Sequence, residues 1–126
     1  LKGNVKNKKI CFLGVTFKAN TDDMRDSSSL SMIPSLIKKG AKVNYFDPTG
    51  EKNDFKKLKN VKFSENINSA IKNANLIIIH TEWNDFKSIN FKKVINNKKF
   101  IIFDMRNIYS ALKMKEQKIK YFSVGS

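Results

Sequence analysis

The densest cluster of chemically versatile side chains is FKANTDDMRDSSSL, which runs from Phe17 to Leu30. A lysine, an arginine and three aspartates lie here, directly after the apolar run ICFLGV. Loops that follow the strands of a parallel sheet line ligand sites. Charge crowded into such a loop is therefore typical of a binding site, and its cations suit an anionic ligand.

The scarcity of arginine is a second indication. Only Arg25 and Arg106 occur among 25 lysines and arginines. A guanidinium offers a planar fork of donors that an ammonium does not. In a chain that uses lysine almost everywhere, the two arginines indicate positions that need this geometry. The alternative is that they are what a compositional bias left behind.

Short apolar runs recur along the chain at regular intervals. Such runs predict buried strands of a parallel sheet, and the segments between them have helical spacing. The runs are ICFLGV, VNYF, VKF, LIIIH, FIIF and YFSV, and helices are predicted over 30–40, 54–58, 67–74, 91–96 and 110–116. Pro34 predicts a kink or a late start in the first helix. The alternation predicts an α/β fold, a Rossmann-like doubly wound parallel sheet of about six strands in three α/β/α layers.

The 126 residues suit one domain. Residues 1–8 are interpreted as the end of a linker from an upstream region, and 9–126 as the domain. We expect a cytoplasmic protein without a membrane partner, because no apolar run approaches a membrane span and the start does not resemble a signal peptide.

Three loops should meet at the carboxyl edge of this sheet, since its first and fourth strands are neighbours in a Rossmann order. They are FKANTDDMR, TEWNDF and DMRNIY. Lys18 is suited to a phosphate, Phe17 to a base or sugar, and Arg106 to ribose or carbonyl oxygens. Taken singly, Phe17 is more typical of a core and Lys18 of a solvated surface than either is of a binding site.

Other chemistries fit the sequence less well. The first turn has Gly14 alone where a dinucleotide fingerprint needs three glycines, and Asp47 before Pro48 predicts a strand-end turn. Cys11 lies within a strand and predicts a buried small side chain, and His80 has no metal-ligand spacing around it. The serines at 27–29 predict helix capping. We therefore expect neither catalytic residues nor a metal site in this chain.

The formal net charge of +14 raises the possibility of nucleic-acid binding. The lysines are spread along the chain with many Asn, Ile and Phe residues, which favours a solvated basic surface. We expect no nucleic-acid partner, although a non-catalytic basic module that binds nucleic acid stays an alternative.

Four motifs together resemble one family. LGVTFKANTDDMRDSSSL, KKGAKVNYFDP, TEWNDF and FDMRNIY are similar to the C-terminal domain of the UDP-glucose/GDP-mannose dehydrogenase family, and most of all to members that oxidise UDP-glucose. The resemblance covers nearly the whole chain. Glycine is commoner in the family where Met105 stands.

The resemblance implies a function. It implies an enzyme, a homodimer when complete, that oxidises UDP-glucose to UDP-glucuronate with two NAD through a thioester on a cysteine outside this chain. NAD is then bound mainly by a separate N-terminal domain. By position, Phe17, Lys18 and Arg106 correspond to substrate contacts, and Arg25 to an arginine that reaches NAD. A sister enzyme acting on GDP-mannose or a UDP-N-acetylhexosamine stays an alternative.

Overall fold

The computed structural model describes residues 4–124, which contain six strands and four α-helices. The strands are β1 (Lys9–Leu13), β2 (Lys42–Phe46), β3 (Val61–Phe63), β4 (Leu76–Ile79), β5 (Ile101–Asp104) and β6 (Lys120–Ser123). The helices are α1 (Ser29–Lys38), α2 (Ile67–Ile71), α3 (Phe91–Val94) and α4 (Ala111–Glu116). Short 3-10 helices occur at Asn53–Phe55 and Asn84–Phe86.

All six strands are parallel and lie in the order β3-β2-β1-β4-β5-β6. The order reverses between β1 and β4, which are hydrogen-bonded neighbours with Leu13 opposite Ile79. This confirms the predicted Rossmann-like α/β fold. It also brings the loops after β1, β4 and β5 to one edge of the sheet, the carboxyl edge.

Helices cover both faces of the sheet, because alternate residues of each strand point to opposite faces. On one face, Phe12 and Tyr45 pack with Ile33 of α1. On the other, Leu13 and Ile79 pack with Phe91 of α3, in a cluster that also includes residues of α2 and α4. The sheet is thus the middle of three layers, as predicted.

The helices differ from the predictions mainly in length. The helix predicted over 54–58 is only the 3-10 turn Asn53–Phe55, and the chain turns into β3 at Asn60, which has a φ of 64°. The prediction that α1 starts late because of Pro34 is wrong, because α1 begins at Ser29 and continues through Pro34. Proline has no N–H to donate to the carbonyl of Leu30. Because Leu30 is exposed, water can take the place of that donor.

Candidate functional site

The loops after β1 and β4 approach each other very closely at Gly14. Gly14 has a φ of +80°, and a Cβ built there would lie 2.5 Å from Cβ of Thr81. The backbone needs glycine for two reasons: the left-handed conformation and the lack of space. Gly14 therefore lets the two strand ends come together, a role that sequence reasoning missed.

The first turn after β1 does not fit the pyrophosphate of a dinucleotide. Two of its amide groups already have partners within the protein: Gly14 N–H donates to the carbonyl of Phe46 (2.8 Å) and Val15 N–H to Oδ2 of Asp47 (2.9 Å). The other oxygen of Asp47 accepts from the amide of Thr49 at 2.9 Å. Asp47 thus holds a turn, in agreement with its interpretation from sequence, and the amides of Gly14 and Val15 are not free to bind NAD.

His80, directly after β4, takes part in hydrogen bonds that link the end of β4 to the loop after β1 and to the start of α1. Its Nδ1 lies 3.1 Å from Oγ1 of Thr81, and that hydroxyl donates to the carbonyl of Thr16 at 3.0 Å. Since the threonine proton is used there, Nδ1 carries the imidazole proton and donates it to Thr81. Nε2 then accepts from the hydroxyl of Ser28 at 2.8 Å.

This arrangement requires a neutral imidazole, and the surroundings favour one. Burial, with a smaller contribution from the positive charge of Arg106, lowers the pKa of His80 from 6.5 to about 4. Asp47 opposes the shift. His80 is 1% exposed, so its role is to join the β4 end to the start of α1 rather than to contact a ligand.

The serines at the start of α1, Ser27 to Ser29, do less capping than predicted. Ser28 occupies the N-cap position, but its side chain makes no cap hydrogen bond and turns to His80 instead. The hydroxyls of Ser27 and Ser29 both donate to the carbonyl of Val15, at 2.5 and 2.6 Å. These two hydroxyls thus join the start of α1 to Val15, two residues after β1.

Arg106 ties the three loops to one another. Its Nε donates to the carbonyl of His80 at 3.0 Å, and its Nη2 donates to the carbonyl of Phe17 at 3.1 Å. The loop after β5 is thereby joined to those after β4 and β1. This double contact needs a fork of donors, which explains physically why arginine stands here.

Asp104, at the end of β5, holds the loop that carries Arg106. It is fully buried, and its Oδ1 accepts from the backbone N–H of Arg106 at 3.0 Å. Its Oδ2 accepts from the amide of Tyr109 (3.1 Å) and the hydroxyl of Tyr121 (2.7 Å). Burial and the charge of Asp104 raise the pKa of both tyrosines, so these hydroxyls stay protonated donors.

Phe17 and Lys18 stand on the solvent side of this network. Phe17 is 45% exposed although it is aromatic, and Lys18 is also exposed. Their backbone is fixed: the amide of Phe17 donates to the carbonyl of Asp23 (2.9 Å), and the carbonyl of Lys18 accepts from Oγ1 of Thr16 (3.0 Å). Among the described residues, the Lys18 ammonium makes no hydrogen bond and no ion pair, so it is available to an anion.

Arg25 is held differently, by a neighbour on its own loop. Its guanidinium forms a bidentate pair with Asp23, through Nε to Oδ1 and Nη2 to Oδ2, each at 3.0 Å. These hydrogen bonds lower the pKa of Asp23 and raise that of Arg25. The arginine side chain is 88% exposed. Of the predicted site residues, Phe17, Lys18 and Arg106 are thus brought together, whereas Arg25 lies farther along the same loop and pairs locally.

Three other expectations from the sequence concern Cys11, metal binding and the membrane. Cys11 is fully buried in β1, and burial raises the pKa of its thiol far above the ordinary value, so it is protonated. Residues 4–124 contain no cluster of three or more His, Cys, Asp or Glu side chains arranged to hold a metal. In the same range, no helix has both the length and the apolar character to cross a membrane.

A parallel sheet with a strand-order reversal, and with loops gathered at its carboxyl edge, defines the class of Rossmann-like ligand-binding domains. Residues 11–111 match the UDP-glucose/GDP-mannose dehydrogenase family, UDP binding domain. The chain therefore belongs to this family and corresponds to its UDP binding domain.

Curated relatives agree with this assignment. The UDP-glucose 6-dehydrogenase of Rickettsia felis is 39% identical over 129 residues, a match that covers 100% of this chain and 29% of the relative. That of Rhizobium meliloti is 35% identical over 124 residues, covering 98% of this chain and 28% of the relative. The chain thus spans about 30% of the length of these relatives.

Solved structures share the fold. An NDP-N-acetyl-D-galactosaminuronic acid dehydrogenase from Methanosarcina mazei superimposes with a TM-score of 0.82 at 24% identity, over 97% of this chain and 25% of that one. A UDP-glucose dehydrogenase from Pyrobaculum islandicum gives 0.73 at 23% identity, over 96% and 26%.

Proposed function

We propose that this chain is the substrate-binding part of a UDP-glucose 6-dehydrogenase, which oxidises UDP-glucose to UDP-glucuronate with NAD as the oxidant. The names of the curated relatives support the choice of enzyme. The observation that carries the proposal is the Arg106 guanidinium, which bridges the two other loops of the carboxyl edge. One rigid assembly then presents an aromatic ring and two cations on a single rim.

Each of the three residues has a role that its chemistry allows. Phe17 packs its exposed ring against the base or ribose. Lys18 places its ammonium against the diphosphate, where a charge-assisted contact is strongest. Arg106 uses two of its five N–H donors on carbonyls, so the remaining three are available to ligand oxygens.

NAD is proposed to bind mainly outside this chain, because the amides of Gly14 and Val15 are occupied and Gly14 lies against Thr81. Arg25 is the proposed contact to NAD, since its side chain is exposed at the loop tip. Catalysis also requires groups outside this chain, because the Cys11 thiol is buried and protonated. The chain alone should bind nucleotide without turnover. The homodimer, the cytoplasmic location and the lack of nucleic-acid binding stay predictions.

Isothermal titration of the 126-residue chain with UDP, UDP-glucose and GDP tests the proposal. UDP and UDP-glucose should bind with affinities in the millimolar range or better, and GDP more weakly. Lys18→Gln should weaken UDP binding, while Lys57→Gln, at an exposed lysine outside the three loops, should not. A folded chain that gives no heat with millimolar UDP would contradict the proposal, and a preference for GDP would favour the sister enzyme.

A further inference from the structure

A cavity lies at the other edge of the sheet, where the strands begin. It has a volume of about 300 Å³, at the lower end of the range for small-molecule sites, about 300–1,000 Å³. Its walls come from the first residues of β1, β2 and β3 and from α2 with the turn that follows it. The carboxyl-edge loops contribute nothing to it, so the proposed function does not use it.

Small side chains form part of the cavity lining. Cys11 and Asn44 are register partners on neighbouring parallel strands, so they lie on the same face of the sheet. Opposite them, the segment of α2 presents Ala70 and Ala74, which are 3% exposed. Asn44 reaches across to this segment, where its Nδ2 donates to the carbonyl of Ala70 at 3.5 Å.

The opposite face of the same strands shows what a filled layer is like. There Tyr45 packs against Phe55 and Phe63, with ring centroids 5.3 and 5.2 Å apart. Bulky rings close that side of β2 and β3. The cavity therefore lies on one face of the sheet only.

Three lysines surround the apolar floor. Lys9 and Lys42 are register partners at the starts of β1 and β2, and Lys62 is the register partner of Asn44 on β3. All three line the cavity, and no acidic side chain is among its described lining residues. Within residues 4–124, none of the three ammonium groups has a hydrogen bond or an ion pair. Three like charges without a counter-charge favour an anion at the mouth.

We propose that this cavity binds a small amphipathic organic anion, with a flat apolar body in the cavity and an anionic head between Lys42 and Lys62. The body is confined by the volume of the cavity, and the head is a carboxylate, sulfonate or phosphate. Charge complementarity selects an anion over a neutral ligand of the same shape. The ligand is distinct from the nucleotide, because the two sites lie at opposite ends of the strands.

Fluorescence with two matched probes tests this site. Anilinonaphthalene sulfonate carries the expected anionic head, and phenylnaphthylamine has the same rings without it. The sulfonate should bind the folded chain at least fivefold more tightly than the neutral probe, and excess UDP should displace neither. The double variant Lys42→Gln/Lys62→Gln should remove this preference, whereas Lys113→Gln, at an exposed lysine of α4, should keep it.

Filling the cavity gives an independent result. Ala74→Leu should weaken both probes at least fivefold, with thermal unfolding used to establish that the variant folds. If Ala74→Leu does not fold, Ser69→Leu, at an exposed lining position, takes its place. Sulfonate binding that is unchanged in both the lysine and the filling variants would overturn the proposal, and so would its displacement by UDP.

Discussion

The carboxyl edge has two regions that are built in different ways. The loop base, comprising Gly14, His80, Thr81 and the guanidinium of Arg106, is held by hydrogen bonds between segments far apart in the chain. The loop tip, from Phe17 to Arg25, contains no buried residue, and its side-chain ion pair joins residues two positions apart. A rigid base under an accessible tip allows binding groups to be placed accurately without being buried, as preorganised recognition requires.

The two arginines show the same difference. Arg106 satisfies backbone carbonyls of two other loops, so removing it should affect both the structure and binding. Arg25 donates hydrogen bonds to Asp23 alone among the described residues, at an exposed site where ion pairs contribute little to stability. The guanidinium of Arg106 thus joins loops of the protein. That of Arg25 pairs only with its own loop and stays accessible to a partner outside the chain.

The largest expected effect is at the base. Gly14→Ala should lower the free energy of unfolding by about 2–5 kcal/mol, because it adds left-handed strain to a clash with Thr81. Gly50→Ala is the matched control, with a φ of +94° but open space around it, and should cost about 1–2 kcal/mol. Urea denaturation measures both. Equal losses at the two glycines would show that the close approach at Gly14 is not important.

The next effect is a pH dependence from His80. Because its folded pKa of about 4 lies below the ordinary 6.5, the unfolded chain binds more protons than the folded chain between these values. The free energy of unfolding should therefore fall by about 1–3 kcal/mol as the pH drops from 6.5 to 4. Above 6.5 both states are neutral, and this contribution is constant. Urea denaturation at several pH values checks it.

His80→Gln provides the control for this prediction, since carboxylates also titrate near the lower end of the window. The difference between the two chains isolates the histidine. The variant should be less stable at neutral pH and should lose less stability on acidification. Parallel pH profiles for both chains would exclude a buried neutral imidazole.

Arg106→Ala should weaken UDP binding by about 1.5–3 kcal/mol, the range for a hydrogen bond to a charged group. Arg106→Lys should recover only part of this, since an ammonium lacks the fork that reaches two carbonyls. Titration calorimetry on both variants measures the loss, with circular dichroism to show that they fold. Full affinity in the alanine variant would remove Arg106 from the site.

The smallest effect is expected at the tip. Arg25→Ala should leave the thermal unfolding temperature and the UDP affinity of the chain unchanged, because its guanidinium is exposed and pairs locally. Asp23→Asn is the companion variant for stability. A clear loss of UDP affinity in Arg25→Ala would place this arginine in the nucleotide site and remove the distinction between base and tip.

The sequence predicted the strands well because buried parallel strands leave continuous apolar runs such as Leu76 to Ile79. The scarcity of arginine in the chain also indicated Arg106 as a functional position. Its carbonyl partners were not predictable, since they depend on loops that meet only in the folded sheet. The link between His80 and Ser28 joins residues 52 positions apart and leaves no local pattern. Asp104 had a weak signal, an acid that ends an apolar run, which sequence reasoning did not use.

An amide NMR titration of the chain with UDP tests the central claim most directly, that the base holds Phe17, Lys18 and Arg106 on one nucleotide-binding rim. The account predicts that the largest shifts fall together on these three residues and saturate with one affinity. Shifts confined to Arg25, or scattered over the lysine-rich surface and lost as salt is added, would contradict it.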